Sequence, residues 1–316
     1  MSKSDLGVAL ELLSSYCGCK VKTVNRCAQG VAAENYHVGM LNSREFLLRI
    51  DQRRKYDAVA ADDHYMKFAQ QAGLAVPEVS TKWETASGGA IVIRPWLQGK
   101  TLMGSGDLQT FFRPICENLQ KLHSISVGCS PLPRRTFFYE PLHAADRKRW
   151  GILSKSQYFL KRNPNAIKAI ESALEIVKCA PRELLASSPS GIIHGDISPS
   201  NIIVHNAAIS FIDWEKACFG PIFSDVAQFI YYFITPCQSN NEAANEILQI
   251  YQGPTETYRH EGLTAWCRYH PLYMFLHDSA RTIEELSRGN SNHYNYLISI
   301  SLPRIQAHMA LYFKNH

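Results

Sequence analysis

Residues 192–227 read IIHGDISPSNIIVHNAAISFIDWEKACFGPIFSDVA and hold two polar clusters, HGDISPSN and IDWE, separated by a short apolar hairpin pattern. Ile192 and Ile193 read as a strand that delivers a polar loop, and Asn201 closes that loop before a second strand opens at Ile202. His205, Asn206 and Ala207 carry turn chemistry, and residues 209–212 supply a return strand of about equal length. Antiparallel pairing then predicts that Asp213 comes back beside Asn201, so that two oxygen ligands meet.

A carboxylate and a neutral amide oxygen suit Mg²⁺, a hard cation that takes one or two protein carboxylates and completes its octahedron with waters and nucleotide phosphates. Asp213 is the expected chelator and Asn201 the second donor. Asp196 lies five positions before Asn201 and is the natural acceptor for the proton of an attacking hydroxyl. A base and a metal clamp are most of what phosphoryl transfer asks of a protein, because positioning and charge neutralisation carry the rate enhancement.

HGDISPSN followed by IDWE resembles the catalytic loop and metal segment of the aminoglycoside phosphotransferase and choline kinase superfamily. The related protein kinases place H-R-D-x-x-x-x-N and D-F-G at the same spacing. The resemblance implies an α+β, protein-kinase-like bilobal fold with a small antiparallel-sheet N-lobe and a mainly helical C-lobe. It also implies ATP or GTP and Mg²⁺ as cofactors and a small-molecule hydroxyl as acceptor, with Asp196, Asn201 and Asp213 converging on one site. His194 is expected to support the loop rather than exchange protons, and Asp225 is similar to the family's structural aspartate, expected to cap the next helix.

Working upstream, residues 5–16 have apolar positions at helical intervals and residues 21–27 read as a strand. Residues 29–38 resemble the superfamily's nucleotide-covering loop, in which backbone N–H groups near Gly30 would face phosphate oxygens. The strand pattern at residues 45–50 resembles the family's third strand, but Arg49 stands where many relatives carry lysine. FLLRI here is similar to the hygromycin B kinase subgroup. A helix is expected over 61–73; it carries Asp62 and Asp63 where relatives place a glutamate that pairs with the basic residue, so the resemblance implies Asp63 as the partner of Arg49. Residues 90–93 read as the last N-lobe strand, and residues 94–102, RPWLQGKTL, resemble the hinge. Pro95 has no N–H, so adenine contact is expected from Arg94 or Trp96. This sets an N-lobe over 1–94, a hinge over 95–101 and a C-lobe over 102–316.

Downstream the pattern is helical over 108–124, 140–160, 165–179 and 181–186, with further helices after Asp225 separated by turn signals, one of them at Pro303. Glu215, Asp278, Glu284 and Glu285 are candidates for holding amino groups of an acceptor, and Trp266 and Tyr273 for stacking on it. The resemblance implies an aminoglycoside-type antibiotic as acceptor or, as the alternative, a metabolite such as an amino alcohol, sugar or choline-like compound. A nucleotide-binding module without activity is the third reading, prompted by Arg49 and Asp63.

Composition narrows the field. With 316 residues, 46% hydrophobic and 19% charged, the chain can bury a large core, and it is neither a disordered nor a membrane composition. No apolar run reaches membrane-spanning length and the start carries Asp5 and Glu11, so a cytoplasmic protein is expected. Nine scattered cysteines argue for reduced thiols. The net charge of +5 is spread among acidic residues, which disfavours nucleic acid as a partner.

Overall fold

The computed structural model describes residues 5–27, 33–78, 81–104, 108–125, 163–186, 188–233, 241–252, 257–287 and 292–313. Chain contacts divide it into two compact units, the first made of Met1–Ser105 and Ser200–Ala217, the second of Gly106–Pro199 and Cys218–His316. A single cut after residue 101 therefore misses one feature. The hairpin that carries Asp213 packs with the N-terminal unit.

That unit is built on a five-stranded antiparallel sheet, β1 (Val21–Arg26), β2 (Glu34–Met40), β3 (Glu45–Asp51), β4 (Thr81–Glu84) and β5 (Ala90–Pro95), in the order β1-β2-β3-β5-β4. Side chains alternate across a strand, and β3 shows the consequence. Phe46, Leu48 and Ile50 point to one face, where helix α1 (Asp5–Cys17) lays Ala9 and Leu13 over them together with Ile91 and Ile93 of β5. Leu47, Arg49 and Asp51 point to the other, where helix α2 (Tyr56–Gln71) packs Tyr56 and Val59 on Ala90 and Val92. One face is thus an apolar core and the opposite one is charged.

A short strand β6 (Lys100–Thr101) pairs with β8 (Ile202–His205), which turns back into β9 (Ala208–Phe211). Asn206 and Ala207 both have positive φ, 48° and 64°, the conformation of a two-residue hairpin turn. Gly99, at φ 126°, lets the chain pass the hairpin, since a Cβ there would lie 2.4 Å from the Val204 carbonyl oxygen.

The second unit is mainly helical: α3 (Phe112–His123), α4 (Pro164–Lys178), α5 (Arg182–Ala186), α6 (Phe223–Phe233), α7 (Asn241–Gln252), α8 (Thr257–Ser287), α9 (Asn292–Tyr296) and α10 (Leu302–Tyr312). Its one small sheet among the described residues pairs β7 (Ser190–Ile193) with β10 (Cys218–Pro221). Ala169, Ile170 and Ala173 of α4 meet Leu272, Phe275 and Leu276 of α8 and Ile305 of α10 in one core cluster. Phe112 of α3 sits edge-on to Phe229 and Phe233 of α6. Pro303 does not mark a break: a π-helical turn, Leu297–Ser301, leads into α10, and the proline takes an opening helical position where its missing N–H costs nothing. The helix expected over 140–160 lies outside the described residues.

Two buried histidines make this unit acid-sensitive. His308 donates to the Arg268 carbonyl at 2.8 Å, His270 lies 3.4 Å from Gln228 Nε2, and burial drives both imidazoles down to about 4. A folded pKa below the unfolded value of ~6.5 contributes stability that is complete above pH ~6.5 and lost as pH falls toward 4. Each histidine is expected to cost about 2–3 kcal/mol between pH 7 and 4.5. Urea titrations at both pH values should show this loss in the wild type and a much smaller one in His270→Gln/His308→Gln. An equal loss in both proteins would refute the assignment.

Candidate active site

In the first unit the hairpin does what its turn demands. Ile202 pairs with Phe211, and beyond that pair the Ile212 N–H donates to the Asn201 carbonyl at 2.9 Å, which sets Asp213 next to the end of the 194–201 loop. Asp213 itself is left-handed, φ 63° and ψ 64°. Aspartate tolerates that region better than most residues, and such strain is concentrated at functional positions.

Arg49 crosses the charged face of the sheet to this segment. Its guanidinium lies 3.2 Å from Asp213 Oδ1, 3.1 Å from Glu215 Oε2 and 3.3 Å from Asp51 Oδ2. Burial opposes its charge, but Asp213, Glu215 and Asp51 together hold it above the ordinary arginine value. Arg54 adds a second clasp, gripping Asp62 of α2 with both nitrogens at 2.7 and 2.8 Å and standing 3.8 Å from Glu215. Burial raises the Asp62 carboxyl above the ordinary carboxylate value, and the Arg54 fork, with two short paired bonds, offsets part of that rise.

The expected partnership of Arg49 with Asp63 is not the one formed. Asp63 bonds Lys82 of β4 and stands 3.9 Å from Arg94 of β5. The register explains this: Arg49, Val92 and Lys82 lie in one cross-strand row, so the edge lysine shares a face with Arg49. Trp96 also departs from expectation. Its N–H donates to the Glu45 carbonyl at 3.0 Å, extending the ladder, and its ring stacks on His37 at 4.1 Å. A base could take neither its amide nor its inner ring face. Gly30 lies outside the described residues.

In the second unit the 194–197 backbone is fastened by one helix. Asp225, fully buried on α6, accepts the N–H groups of His194 at 2.7 Å and Gly195 at 2.8 Å, and lies 3.2 Å from His123 Nε2. It does not cap its helix as the sequence suggested; it holds the loop. Burial works to raise its carboxyl, yet the His123 hydrogen bond, with the charge and amide of His194, keeps it below the ordinary carboxylate range. His123 is fixed from behind by the Tyr251 hydroxyl at 2.7 Å. Gln228, one helical turn after Asp225, accepts the Ile197 N–H at 3.0 Å and donates to the Gly195 carbonyl at 3.2 Å. Gln228 was not among the sequence candidates, although its i, i+3 spacing from Asp225 puts both on one helix face. Gly195 has φ 76°, and His194 Nδ1 accepts the Asp196 N–H at 3.3 Å.

The acceptor candidates separate. Trp266 is buried, and its indole donates to the Leu185 carbonyl at 3.1 Å: it is core, because Leu263, Trp266, Cys267 and His270 form a single buried stripe of α8. Tyr273 is half-buried against the helical core, its hydroxyl pushed up to about 12 by burial. Glu215 is engaged by Arg49 and Arg54. Glu285 is partly exposed, and the side chain of Glu284 is outside the described residues. Asp278 is electrostatically close to the tyrosines that also sense Asp196: burial, then Asp196 and Asp278, raise Tyr232, and burial and Asp278, with Asp196, raise Tyr296. Arg304 covers the Tyr231 and Tyr232 rings at 5.8 and 5.3 Å.

Asn201 and Asp213 carry side-chain oxygens of the kind a hard cation takes. Among the described residues no group of three His, Cys, Asp or Glu side chains is arranged to hold a metal. A cation shared between one carboxylate, an amide and nucleotide phosphates needs none.

The model of the phosphotransferase enzyme family matches residues 23–263, most of the chain. The chain belongs to that family. Among solved structures, this phosphotransferase resembles a spectinomycin phosphotransferase in complex with ADP and spectinomycin, with a TM-score of 0.73 at 14% identity, covering 96% of this chain and 97% of that one. It also resembles a thermostable mutant of an aminoglycoside phosphotransferase in a ternary complex with AMP-PNP and hygromycin B, with a TM-score of 0.66 at 16% identity over 95% and 97% of the two chains. A choline/ethanolamine kinase family protein from Mesorhizobium loti gives a TM-score of 0.66 at 18% identity over 96% and 94%. These likenesses establish a kinase-like phosphotransferase fold. One curated relative, "Probable acyl-CoA dehydrogenase IBR3" of Arabidopsis thaliana, is 27% identical over 144 residues, 43% of this phosphotransferase and 17% of that protein's length.

Proposed function

We propose that this phosphotransferase is a Mg²⁺-dependent small-molecule kinase that moves the γ-phosphoryl group of ATP or GTP to a hydroxyl of its acceptor. In this reading Asp213 and Asn201 hold Mg²⁺, which when bound neutralises charge on the phosphates. Asp196 takes the proton of the attacking hydroxyl. Arg49 serves as the phosphate-facing cation, and Leu97 is the hinge donor, because the Trp96 amide faces β3 and successive amides of an extended chain point to opposite sides. The observation that supports the reading best is the fastening of the 194–197 backbone by Asp225 and Gln228, which presents Asp196 from a loop with no slack.

An aminoglycoside-type antibiotic is the first acceptor class, its ammonium groups drawn by Asp196 and Asp278. A metabolite hydroxyl is the second, favoured by the curated relative with a metabolic enzyme's name and by Arg304 beside Tyr232, a cation suited to an acceptor with an acidic group. A coupled assay for nucleoside diphosphate release, run with aminoglycosides, amino alcohols, sugars and hydroxy acids, decides between them. Release should require both Mg²⁺ and one acceptor class. Nucleotide binding without release in any arm would instead support the silent-module reading.

A further inference from the structure

Arg94 is the least satisfied cation of the described residues. It is 8% exposed, yet its guanidinium makes no hydrogen bond among them; Nε is buried without a partner, and the nearest carboxylate oxygen, Asp63 Oδ1, stands 3.9 Å away and is itself unfilled. Asp63 spends its other oxygen on Lys82. A guanidinium whose Nε–H is removed from water and whose planar fork makes no hydrogen bond is costly unless something brings acceptors to it. Burial lowers the arginine's pKa in spite of Asp63, which expresses the same deficit.

The place of Arg94 in the sheet says what could bring them. Arg94 faces Leu47 across β3 and β5, one row from the pairing of Arg49 with Val92, and therefore about 7 Å along the strands from the phosphate-facing arginine. Two residues further on, Trp96 is stacked on His37 at the end that leads into the hinge. A nucleotide with its phosphates toward Arg49 and its base toward the hinge lays a purine edge over this row. The two purines present different edges. Guanine offers two acceptors, O6 and N7, at the spacing a guanidinium fork matches, whereas adenine offers N7 beside an amino group that donates.

Resting on the phosphotransferase reading above, we infer that Arg94 reads the O6 and N7 edge of a guanine base, so that this chain prefers guanine to adenine nucleotides. Asp63 is the positioning residue that holds the fork within reach while leaving its donors open.

Titration calorimetry of the full chain with Mg²⁺ and GDP, ADP, IDP or 7-deaza-GDP tests it. GDP is expected to bind roughly 10- to 100-fold more tightly than ADP, the range of one bidentate base contact. IDP, which keeps O6 and N7, should follow GDP; 7-deaza-GDP, which lacks the N7 acceptor, should fall toward ADP. In Arg94→Met the preference should collapse toward unity through weaker GDP binding. The 7-deaza-GDP arm keeps the test decisive even where that variant does not fold. ADP bound as tightly as GDP, or Arg94→Met weakening both nucleotides alike, overturns the inference and leaves the phosphotransferase reading intact. Binding of neither nucleotide removes both.

Discussion

Asp196→Ala is expected to lower acceptor-dependent turnover by about 10²- to 10⁴-fold, the usual worth of a positioned general base, while nucleotide affinity changes by no more than about threefold. The split follows from how the loop is held. The amides of His194 and Gly195 are held by Asp225, that of Ile197 by Gln228 and that of Asp196 by His194. Truncating the Asp196 carboxylate removes an acceptor for the hydroxyl proton and leaves those four backbone bonds in place. The variant should remain folded in a urea titration, and Asp213→Ala should differ from it by losing Mg²⁺-dependent nucleotide binding along with turnover. Retention of turnover within about threefold in Asp196→Ala would show that another group, or water alone, accepts the proton.

The sequence disclosed those parts of the site that depend on local pattern. Alternation over 45–50 located β3 and its apolar face, and Asn206 in a two-residue connection was enough to bring residue 213 back to residue 201. What it could not disclose depends on register across strands. Asp62 and Asp63 are adjacent on α2, and only the placement of Arg54 and Lys82 shows that the first is gripped by Arg54 and the second by Lys82, leaving Arg49 to Asp213, Glu215 and Asp51. Trp96 is one of two expected adenine contacts in the sequence, and only the sheet shows its amide spent on Glu45 and its ring stacked on His37, two strands away. Trp266 is a stacking candidate in the sequence and core in the structure, because a buried stripe and a pocket lining share one helical period. Gln228 passed unnoticed since a glutamine on an apolar helix announces itself only when its partners, the Gly195 carbonyl and the Ile197 amide, are in view.

Asp225→Ala is the substitution with the largest expected effect on stability, about 3–5 kcal/mol, the cost of leaving the partners of a buried carboxylate unpaired. The carboxylate is wholly buried, so its removal leaves the amides of His194 and Gly195 and the ring of His123 facing a void, each polar group carrying its own desolvation penalty. That is a large share of the ~5–15 kcal/mol available to a folded domain. Asp225→Asn keeps the volume and one acceptor oxygen but turns an amide donor toward one of three donors, and about 2–3 kcal/mol is expected. The sign of the pH dependence separates this from a packing effect. Because Asp225 is held below the ordinary carboxylate range when folded, its contribution is complete above pH ~4 and disappears as pH falls through the depressed value. The gap between wild type and Asp225→Asn should accordingly be constant in urea titrations above about pH 5 and close in stronger acid. A gap that persists unchanged into acid, or a loss below about 1 kcal/mol for Asp225→Ala, would mean that the loop is held by Gln228 and its own turn geometry instead. Where Asp225→Asn remains folded, turnover should still fall, since one of the two amides that fix Gly195 and Asp196 loses its acceptor and the base is free to wander from the line of attack.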